Sequence, residues 1–353
     1  MKIVGIICEY NPFHQGHKYM LDKLRAELNP DAVVCVMSGN FVQRGMPAMW
    51  DKYERAQFAI EKGIDLVIEL PTWYAVNSAK EFAKGGIYVL RSLGVTDIAF
   101  GSECGDIKLL KEAAEFTENA EFKEKLQAFF DEGNSYPSAY AKASENPIFD
   151  GPNNILGVEY LRQLALQKSR IKAHTYKRFY GVSAEQIRSD IKNGKRLAFS
   201  YPLPDWTPVT DERLFAMVRT KLLTTPKEEL ANVLEMSEGL ENRLLEAVVT
   251  AKNLDDLILK AKSKRFTYAR ISRILIQMVL GMNKNNAPKA PKTFKILAFN
   301  ETGREVLRKI KARGQVKFGV NNFDEYASSI YSVICGRNIY DHSDKVINAK
   351  PID

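Results

Sequence analysis

The residue types best suited to chemistry in this 353-residue chain lie in the run His14-Gln15-Gly16-His17. Two imidazole side chains flank a glycine shortly after an apolar segment, residues 3–8, that predicts a buried strand. A helical pattern begins at His17. The amino end of a helix offers backbone N–H donors and a positive dipole, which together favour phosphate binding. Gly16 would let a nucleotide approach the backbone without a Cβ in the way. This layout is typical of nucleotidyl transfer.

A His-x-x-His spacing also arises by chance and in partial metal sites. The chain has four histidines, of which the other two are His174 and His342, and its four cysteines are scattered without a Cys-x-x-Cys pair. A structural zinc site is therefore disfavoured, and we assign no metal ligands. The position of His14 and His17 directly after a first strand favours a role in facing a ligand.

The composition, with 45% hydrophobic and 27% charged residues, is typical of a soluble globular protein. No apolar run approaches the roughly 20 residues needed to cross a bilayer. The chain enters its first strand at once, without a signal-peptide pattern, and few unpatterned cysteines suit a reducing cytosol. We therefore expect a cytoplasmic protein without a membrane partner, long enough for about two domains.

The net charge of +8 is distributed unevenly. Residues 1–200 carry 26 Lys and Arg against 25 Asp and Glu, whereas residues 251–313 carry 16 basic residues against 4 acidic ones. A concentrated basic region favours a polyanionic partner, most simply a nucleic acid. The alternative is a solvated lysine-rich face.

Within that region, residues 262–273 mix cations with two aromatic side chains. Lys and Arg contact phosphates, and aromatic rings stack on unpaired bases. Alternatively, Phe266 and Tyr268 belong to a helix core while the cations face water. The candidates for contacts with nucleic-acid phosphates are Lys264, Arg265, Arg270 and Arg273.

Short apolar segments alternate with helical patterns through the first 200 residues. The predicted strands are residues 3–8, 31–38, 65–70, 96–100 and 171–178. This alternation predicts an α/β fold with a doubly wound parallel sheet. Ligands bind such sheets at the carboxyl ends of the strands, so side chains just past those ends are expected to converge on one crevice.

Two domains are predicted on either side of a Pro-containing linker at residues 201–205. We expect residues 1–200 to form a nucleotide-binding catalytic domain and residues 205–353 to form a mainly helical, basic domain that binds nucleic acid. Within the second domain, residues 293–299 resemble a short strand, and a helix opened by Asn300 follows over residues 301–313.

Seven segments together closely resemble the tRNA(Met) cytidine acetate ligase family. They are EYNPFHQGH (9–17), MSGNFVQRG (37–45), ELPTWYAVNSAKEFAKGG (69–86), FGSE (100–103), GPNNILGVEYL (151–161), KRFTYARISRIL (264–275) and FNETGRE (299–305). A lone His-x-Gly-His is shared by many nucleotidylyltransferases and class I tRNA synthetases. The combined set is much more specific.

The resemblance implies an HxGH nucleotidylyltransferase-like Rossmann fold and an ATP-dependent ligase. Members of this family activate acetate as acetyl-adenylate, release pyrophosphate, and acetylate the wobble cytidine of elongator tRNA(Met) to N4-acetylcytidine. Acetate is itself a nucleophile, so the enzyme must orient it and stabilise charge on the leaving pyrophosphate. Mg²⁺ is expected on the phosphates, although no carboxylate pair marks its site. No stable protein partner is implied.

By motif position, the resemblance implies that His14 and His17 are catalytic residues at the phosphates and that Gly101 passes under the nucleotide. The residues implied in ATP binding are Ile7, Cys8, Glu9, Tyr10, Asn11, Pro12, Phe13, His14, Gln15, Gly16, His17, Lys18, Tyr19, Met20, Gly101, Asn153 and Arg178.

The chain departs from the family in two places. It has Ser183-Ala184-Glu185 where members usually carry Ser-Ala-Thr, and the loop at residues 179–182 is short. Ser183 also fits a helix cap, with Gln186 three residues on, so its role and that of Arg188 stay open.

Two other functions fit parts of the sequence. One is a nucleotidylyltransferase acting on a small phosphorylated metabolite, and the other is a non-catalytic RNA-binding protein. The motifs do not identify the acetate contacts, for which Trp73, Tyr74 and Asn77 are candidates alongside a packing role. They identify neither the base for the cytidine amine nor the determinants of tRNA choice nor the oligomeric state.

Overall fold

The computed structural model describes residues 1–144, 146–179, 181–195, 211–237, 239–288, 290–291, 293–340 and 344. Its strands are β1 Ile3–Cys8, β2 Ala32–Ser38, β3 Phe41–Val42, β4 Met46–Pro47, β5 Leu66–Leu70, β6 Asp97–Ser102, β7 Lys172–Lys177, β8 Thr293–Phe294, β9 Ile296–Phe299 and β10 Lys317–Phe318. Its helices are α1 Gln15–Leu28, α2 Lys52–Glu61, α3 Thr72–Ala75, α4 Ala79–Leu93, α5 Ile107–Phe116, α6 Ala120–Asp131, α7 Tyr136–Ser144, α8 Pro152–Leu166, α9 Ala184–Lys192, α10 Asp211–Thr224, α11 Lys227–Ala231, α12 Leu240–Thr250, α13 Leu254–Ala261, α14 Tyr268–Val279, α15 Glu301–Ala312 and α16 Asn322–Cys335.

The largest sheet has six strands in the order β7-β6-β1-β2-β5-β9. The first five strands in this order are parallel, and β9 runs antiparallel to β5. The chain builds outward from β1 to β2 and β5, then returns to place β6 on the other side of β1. The strand order therefore reverses between β1 and β6, which is where such folds bind ligands. The predicted doubly wound sheet with a mainly helical remainder is confirmed.

The apolar runs form strands because burial on both faces of a parallel sheet selects continuous hydrophobic sequences. All residues of β1, β2 and β5 are buried. The charged stretch at residues 107–131 forms two helices, because Asn119 caps α6 by accepting from the Glu121 N–H at 3.1 Å. The short β3–β4 hairpin and the helices α3 and α16 were not predicted.

The C-terminal part of the chain packs into the same sheet. Strand β9 extends its edge, and the buried Lys52 ammonium lies 2.8 Å from carboxylate oxygens of both Glu69 and Asp344. One apolar cluster includes both Ile68 of β5 and Ile274 of α14. The predicted linker at residues 201–205, and with it the predicted domain division, lies outside the described residues.

None of the helices in the described ranges combines the length and apolar character needed to span a membrane.

Candidate active site

A cleft of about 490 Å³ opens at the carboxyl ends of β1, β6 and β7, at the point where the strand order reverses. The amino ends of α1, α8 and α9 and the β3–β4 hairpin complete its walls. Most residues implied in ATP binding line this cleft: Ile7, Cys8, Glu9, Tyr10, Asn11, His14, Gly16, His17, Tyr19, Met20, Gly101, Asn153 and Arg178. Four others of the same run lie outside its lining: Pro12, Phe13, Gln15 and Lys18.

The two histidines form the amino-terminal cap of α1. His14 Nδ1 accepts a hydrogen bond from the Gly16 N–H at 3.0 Å, and His17 Nδ1 accepts from the His14 N–H at 3.2 Å. This reciprocal pattern is a capping box, in which imidazoles take the places usually held by Ser or Thr and Glu or Gln. The two rings stack with centroids 3.7 Å apart. The motif therefore orders the helix terminus and the ligand-facing rings together.

The capping bonds decide which nitrogen of each neutral ring carries the proton, and burial decides that the rings are neutral. Each Nδ1 accepts from the backbone, so each neutral ring carries its proton on Nε2. Burial, with the charge of Arg178, lowers the pKa of His14 to about 4. Burial, followed by the charges of His14 and Arg178, lowers the pKa of His17 well below its ordinary value. At neutral pH both histidines are uncharged Nε2–H donors.

Gly16 is required by the cap itself. A Cβ at this position would lie 2.9 Å from His14 Cε1 and 3.1 Å from His14 Nδ1. Only glycine leaves room for the ring to fold back over the helix terminus, so the ring geometry is a second reason for glycine besides nucleotide access.

Gly101 lies at the cleft floor with open space above it. A Cβ here would approach nothing closer than Arg178 Cγ at 3.4 Å, which is an ordinary contact. The protein itself therefore leaves room for a Cβ at Gly101, so a need for glycine here would come from a bound ligand.

Glu103, the last residue of the FGSE segment, organises Asn153 and Arg178. Its carboxylate accepts from the Asn153 side-chain amide at 2.6 Å, from the Asn154 N–H at 2.7 Å, and from Arg178 Nη1 at 3.4 Å. Although burial alone would raise the pKa of Glu103, these amide hydrogen bonds lower it overall. The carboxylate thus occupies the amino end of α8, whose own cap residue, Gly151, supplies no side-chain bond. Its position just past β6 and its place in the FGSE segment were the sequence signals for it, but neither indicated this capping role.

A different carboxylate, Glu9, lines the cleft beside the β3–β4 turn. Its Oε1 accepts from the Gln43 N–H of the β3–β4 turn at 2.8 Å. Arg55 Nη1 donates to the Glu9 carbonyl at 2.5 Å, and Arg188 Nη1 donates to the Asn11 carbonyl at 2.7 Å. Burial raises the pKa of Glu9, and the neighbouring arginines only partly offset this effect.

Helix α9 closes one side of the cleft. Ser183 caps it by accepting from the Gln186 N–H at 3.1 Å, as the capping pattern predicts. Glu185 lies 3.6 Å from Arg44 of the hairpin turn and is largely exposed. Its charge is therefore paired at the rim of the cleft.

The three side chains considered for acetate lie elsewhere. Trp73 and Tyr74 are buried and do not line the cleft, and a Cβ on Gly85 would press into the Tyr74 ring at 2.3 Å. Asn77 is also buried, and its side chain accepts from the Ser78 N–H at 2.8 Å. Packing accounts for these positions.

The predicted tRNA-contacting cations differ in their surroundings. Lys264 is exposed, whereas Arg273 forms a two-bond pair with Glu235 at 2.9 and 2.8 Å, with both side chains largely buried. Arg270 lies over the ring of Phe266, which is 4% exposed and so belongs to the core. The RNA contacts themselves stay predictions.

The start of α14 packs directly on the hairpin that lines the cleft. Ser272 Oγ donates to the Gly45 carbonyl at 2.5 Å. Gly45 has a φ of +75°, and a Cβ there would meet the Arg273 backbone at 2.2 Å. The basic segment 262–273 is therefore in contact with one wall of the cleft.

Comparison with known proteins places the chain in a family. A model described as HIGH Nucleotidyl Transferase matches residues 1–345. A tRNA(Met) cytidine acetate ligase from Clostridium perfringens is 37% identical, with 95% of this chain and 96% of that protein covered. One from Caldicellulosiruptor saccharolyticus is 38% identical, with 92% and 88% covered.

Solved structures agree with the sequence relatives. The crystal structure of Thermotoga maritima TmcAL bound with alpha-thio ATP matches with a TM-score of 0.87 at 29% identity, covering 99% of this chain and 98% of that chain. The apo form of the same protein matches with a TM-score of 0.88. The chain therefore belongs to the HIGH nucleotidyl transferases and, among them, to the tRNA(Met) cytidine acetate ligase family.

Proposed function

We propose that this protein is a cytoplasmic, ATP-dependent ligase that acetylates the wobble cytidine of elongator tRNA(Met) to N4-acetylcytidine through acetyl-adenylate. The observation that carries the proposal is the pair of neutral, stacked imidazoles at the helix terminus in the cleft. Family membership supports it, as does the alpha-thio ATP bound by the Thermotoga maritima relative.

In the first step, acetate attacks the α-phosphate of ATP and pyrophosphate leaves. The Nε2–H groups of His14 and His17, with Arg178 nearby, are arranged to bind phosphate oxygens as negative charge grows on the leaving group. Neutral donors suit this task because their orientation is set before the reaction by the capping bonds. Asn153, oriented by Glu103, contributes a further polar contact to the nucleotide.

Mg²⁺ is expected to accompany ATP through phosphate oxygens and water. Among the described residues, no group of three or more His, Cys, Asp or Glu is arranged to hold a metal ion. Mg²⁺ commonly keeps several waters and relies on substrate phosphates. When bound, it would neutralise phosphate charge beside the two histidines.

The second step needs tRNA at the cleft. Segment 262–273 contacts the hairpin that forms one cleft wall, so RNA docked there would extend toward the site of acetyl-adenylate. Lys264, Arg265, Arg270 and Arg273 are the proposed phosphate contacts.

The test uses purified protein, ATP, labelled acetate and an elongator tRNA(Met) transcript. We expect acetate-dependent exchange of pyrophosphate into ATP, and label in the tRNA as N4-acetylcytidine. Exchange that ignores acetate and needs a phosphorylated metabolite would instead indicate a small-molecule nucleotidylyltransferase. Salt-sensitive tRNA binding without any ATP turnover would indicate a non-catalytic RNA-binding protein.

A further inference from the structure

The histidines and Glu9 have different charged neighbours in the cleft. The His14 and His17 rings are influenced by Arg178, whereas the Glu9 carboxylate is influenced by Arg44, Arg188 and Arg55. A carboxylate repels phosphate, so Glu9 is unsuited to binding the triphosphate. It is suited to receiving an uncharged or proton-donating group.

Glu9 is held in place with one oxygen available. Its Oε1 accepts from the Gln43 N–H at 2.8 Å, and the adjoining backbone is held by Arg55. Its Oε2 accepts from no donor in the described parts of the chain. It is also not one of the fully buried side-chain atoms there that lack a hydrogen-bond partner, so it is accessible. Because Glu9 lines the cleft, this second oxygen faces the cleft space.

The other acid–base groups of the cleft are poor proton acceptors. In both histidines the lone-pair nitrogen already accepts from the backbone. Burial raises the pKa of Cys8 and Tyr160, so both stay protonated.

Glu185 is the other carboxylate among the described residues of the cleft lining, and it is paired with Arg44 at the exposed rim. Glu9 is therefore the acceptor best placed inside the cleft. Its raised pKa also makes it a stronger base than an ordinary glutamate.

The surroundings of Glu9 connect it to the RNA side of the molecule. The hairpin turn that donates to Glu9 through Gln43 continues two residues later into Gly45, whose carbonyl is bound by Ser272 of the basic segment. A nucleotide delivered along that segment would approach the cleft beside Glu9. Carboxylates are natural acceptors for the exocyclic amine of cytosine.

We propose that Glu9 is the general base of acetyl transfer, accepting a proton from the cytosine N4 amine through its free carboxylate oxygen. The amine nitrogen attacks the acetyl carbonyl carbon and a C–N bond forms. The bond from that carbon to the AMP phosphate oxygen breaks, and AMP leaves with the electron pair. The proton lost by the nitrogen goes to Glu9. This inference rests on the proposed ligase function.

The test separates the two half-reactions in Glu9→Gln. Glutamine keeps an oxygen for the Gln43 N–H but does not act as a base. Single-turnover transfer from preformed acetyl-adenylate to tRNA should fall by about 10²–10⁴-fold, the usual size of a general-base contribution. The fold-loss in acetate-dependent pyrophosphate exchange should be at least ten times smaller than the fold-loss in transfer. The matched control is Glu185→Gln, which removes the rim carboxylate and should transfer at close to the wild-type rate.

A pH profile supplies a readout that a structural role would not give. Among the described residues, the charged groups that face Glu9 from the hairpin, α2 and α9 are Arg44, Arg55 and Arg188, and the Tyr160 phenol of α8 also lies within its influence. The wild-type transfer rate should fall as acid protonates Glu9, which gives the pH–rate profile an acid limb. The profile of Glu185→Gln should keep this limb. Glu9→Asp, which retains a carboxylate, should keep the limb at a reduced rate, whereas Glu9→Gln should lose it.

Transfer by Glu9→Gln at the wild-type rate would overturn the assignment. So would an equal loss of exchange and transfer, or a Glu9→Asp variant that folds and binds ATP yet shows no acid limb. Wild-type protein without acetate-dependent exchange would instead overturn the proposed function, and this inference with it.

Discussion

His14 serves both the fold and the reaction, and substitution can separate the two roles. His14→Ala removes the acceptor for the Gly16 N–H and also the Nε2–H donor in the cleft. Loss of an amino-terminal cap costs about 1 kcal/mol of stability. Loss of one preorganised donor to a developing negative charge costs about 10²–10³-fold in rate. We expect both losses in this variant.

His14→Asn should restore only the first role. Asparagine is among the best amino-terminal cap residues, so its stability should lie within a few tenths of a kcal/mol of wild type, about the spread of good caps. Its short amide cannot extend to where the imidazole Nε2 lies. Acetate-dependent exchange should therefore stay as low as in His14→Ala.

Urea unfolding gives the stability of each variant, and pyrophosphate exchange gives the rate of adenylate formation. A rate of pyrophosphate exchange equal to that of wild type in His14→Asn would show that the cap, and not the ring, matters for chemistry. Equal stability of His14→Ala and wild type would refute the capping argument.

Three further outcomes are expected. Because burial keeps His14 and His17 neutral in the folded state, with the pKa of His14 at about 4, the unfolded chain binds more protons than the folded chain below about pH 6.5. The free energy of unfolding should therefore have its full value above that pH and fall toward pH 4. Urea titrations should show a smaller fall for His14→Asn. Gly101→Ala should unfold like wild type, since its Cβ meets nothing closer than 3.4 Å, but calorimetry should show ATP affinity reduced about tenfold or more, equivalent to ~1.4 kcal/mol; unchanged affinity would place the nucleotide elsewhere. Lys264→Ala should weaken tRNA binding and lower its salt slope by about one without loss of stability. Arg273→Ala, which removes the cation that neutralises the largely buried Glu235, should lower the urea midpoint.

The sheet was accessible from sequence because its signals are local. Continuous apolar runs such as residues 3–8 and 65–70 become β1 and β5, with boundaries shifted by at most one residue. The His-Gln-Gly-His run predicted a helix terminus at a strand end, and α1 begins there. The hairpin at residues 41–47 escaped prediction because two-residue strands are too short to show a periodicity.

Sequence alone thus determined which segments form the strands, the family, and the motif that caps α1, since each depends on residues adjacent in the chain. Tertiary structure alone decided what those residues can do. Glu9 meets the Gln43 amide 34 positions away, and Arg188 reaches the Asn11 carbonyl across 177 positions. Burial then shifts the pKa of Glu9 upward and that of His14 downward. Such contacts and such desolvation exist only after distant segments pack together, so no local pattern encodes them.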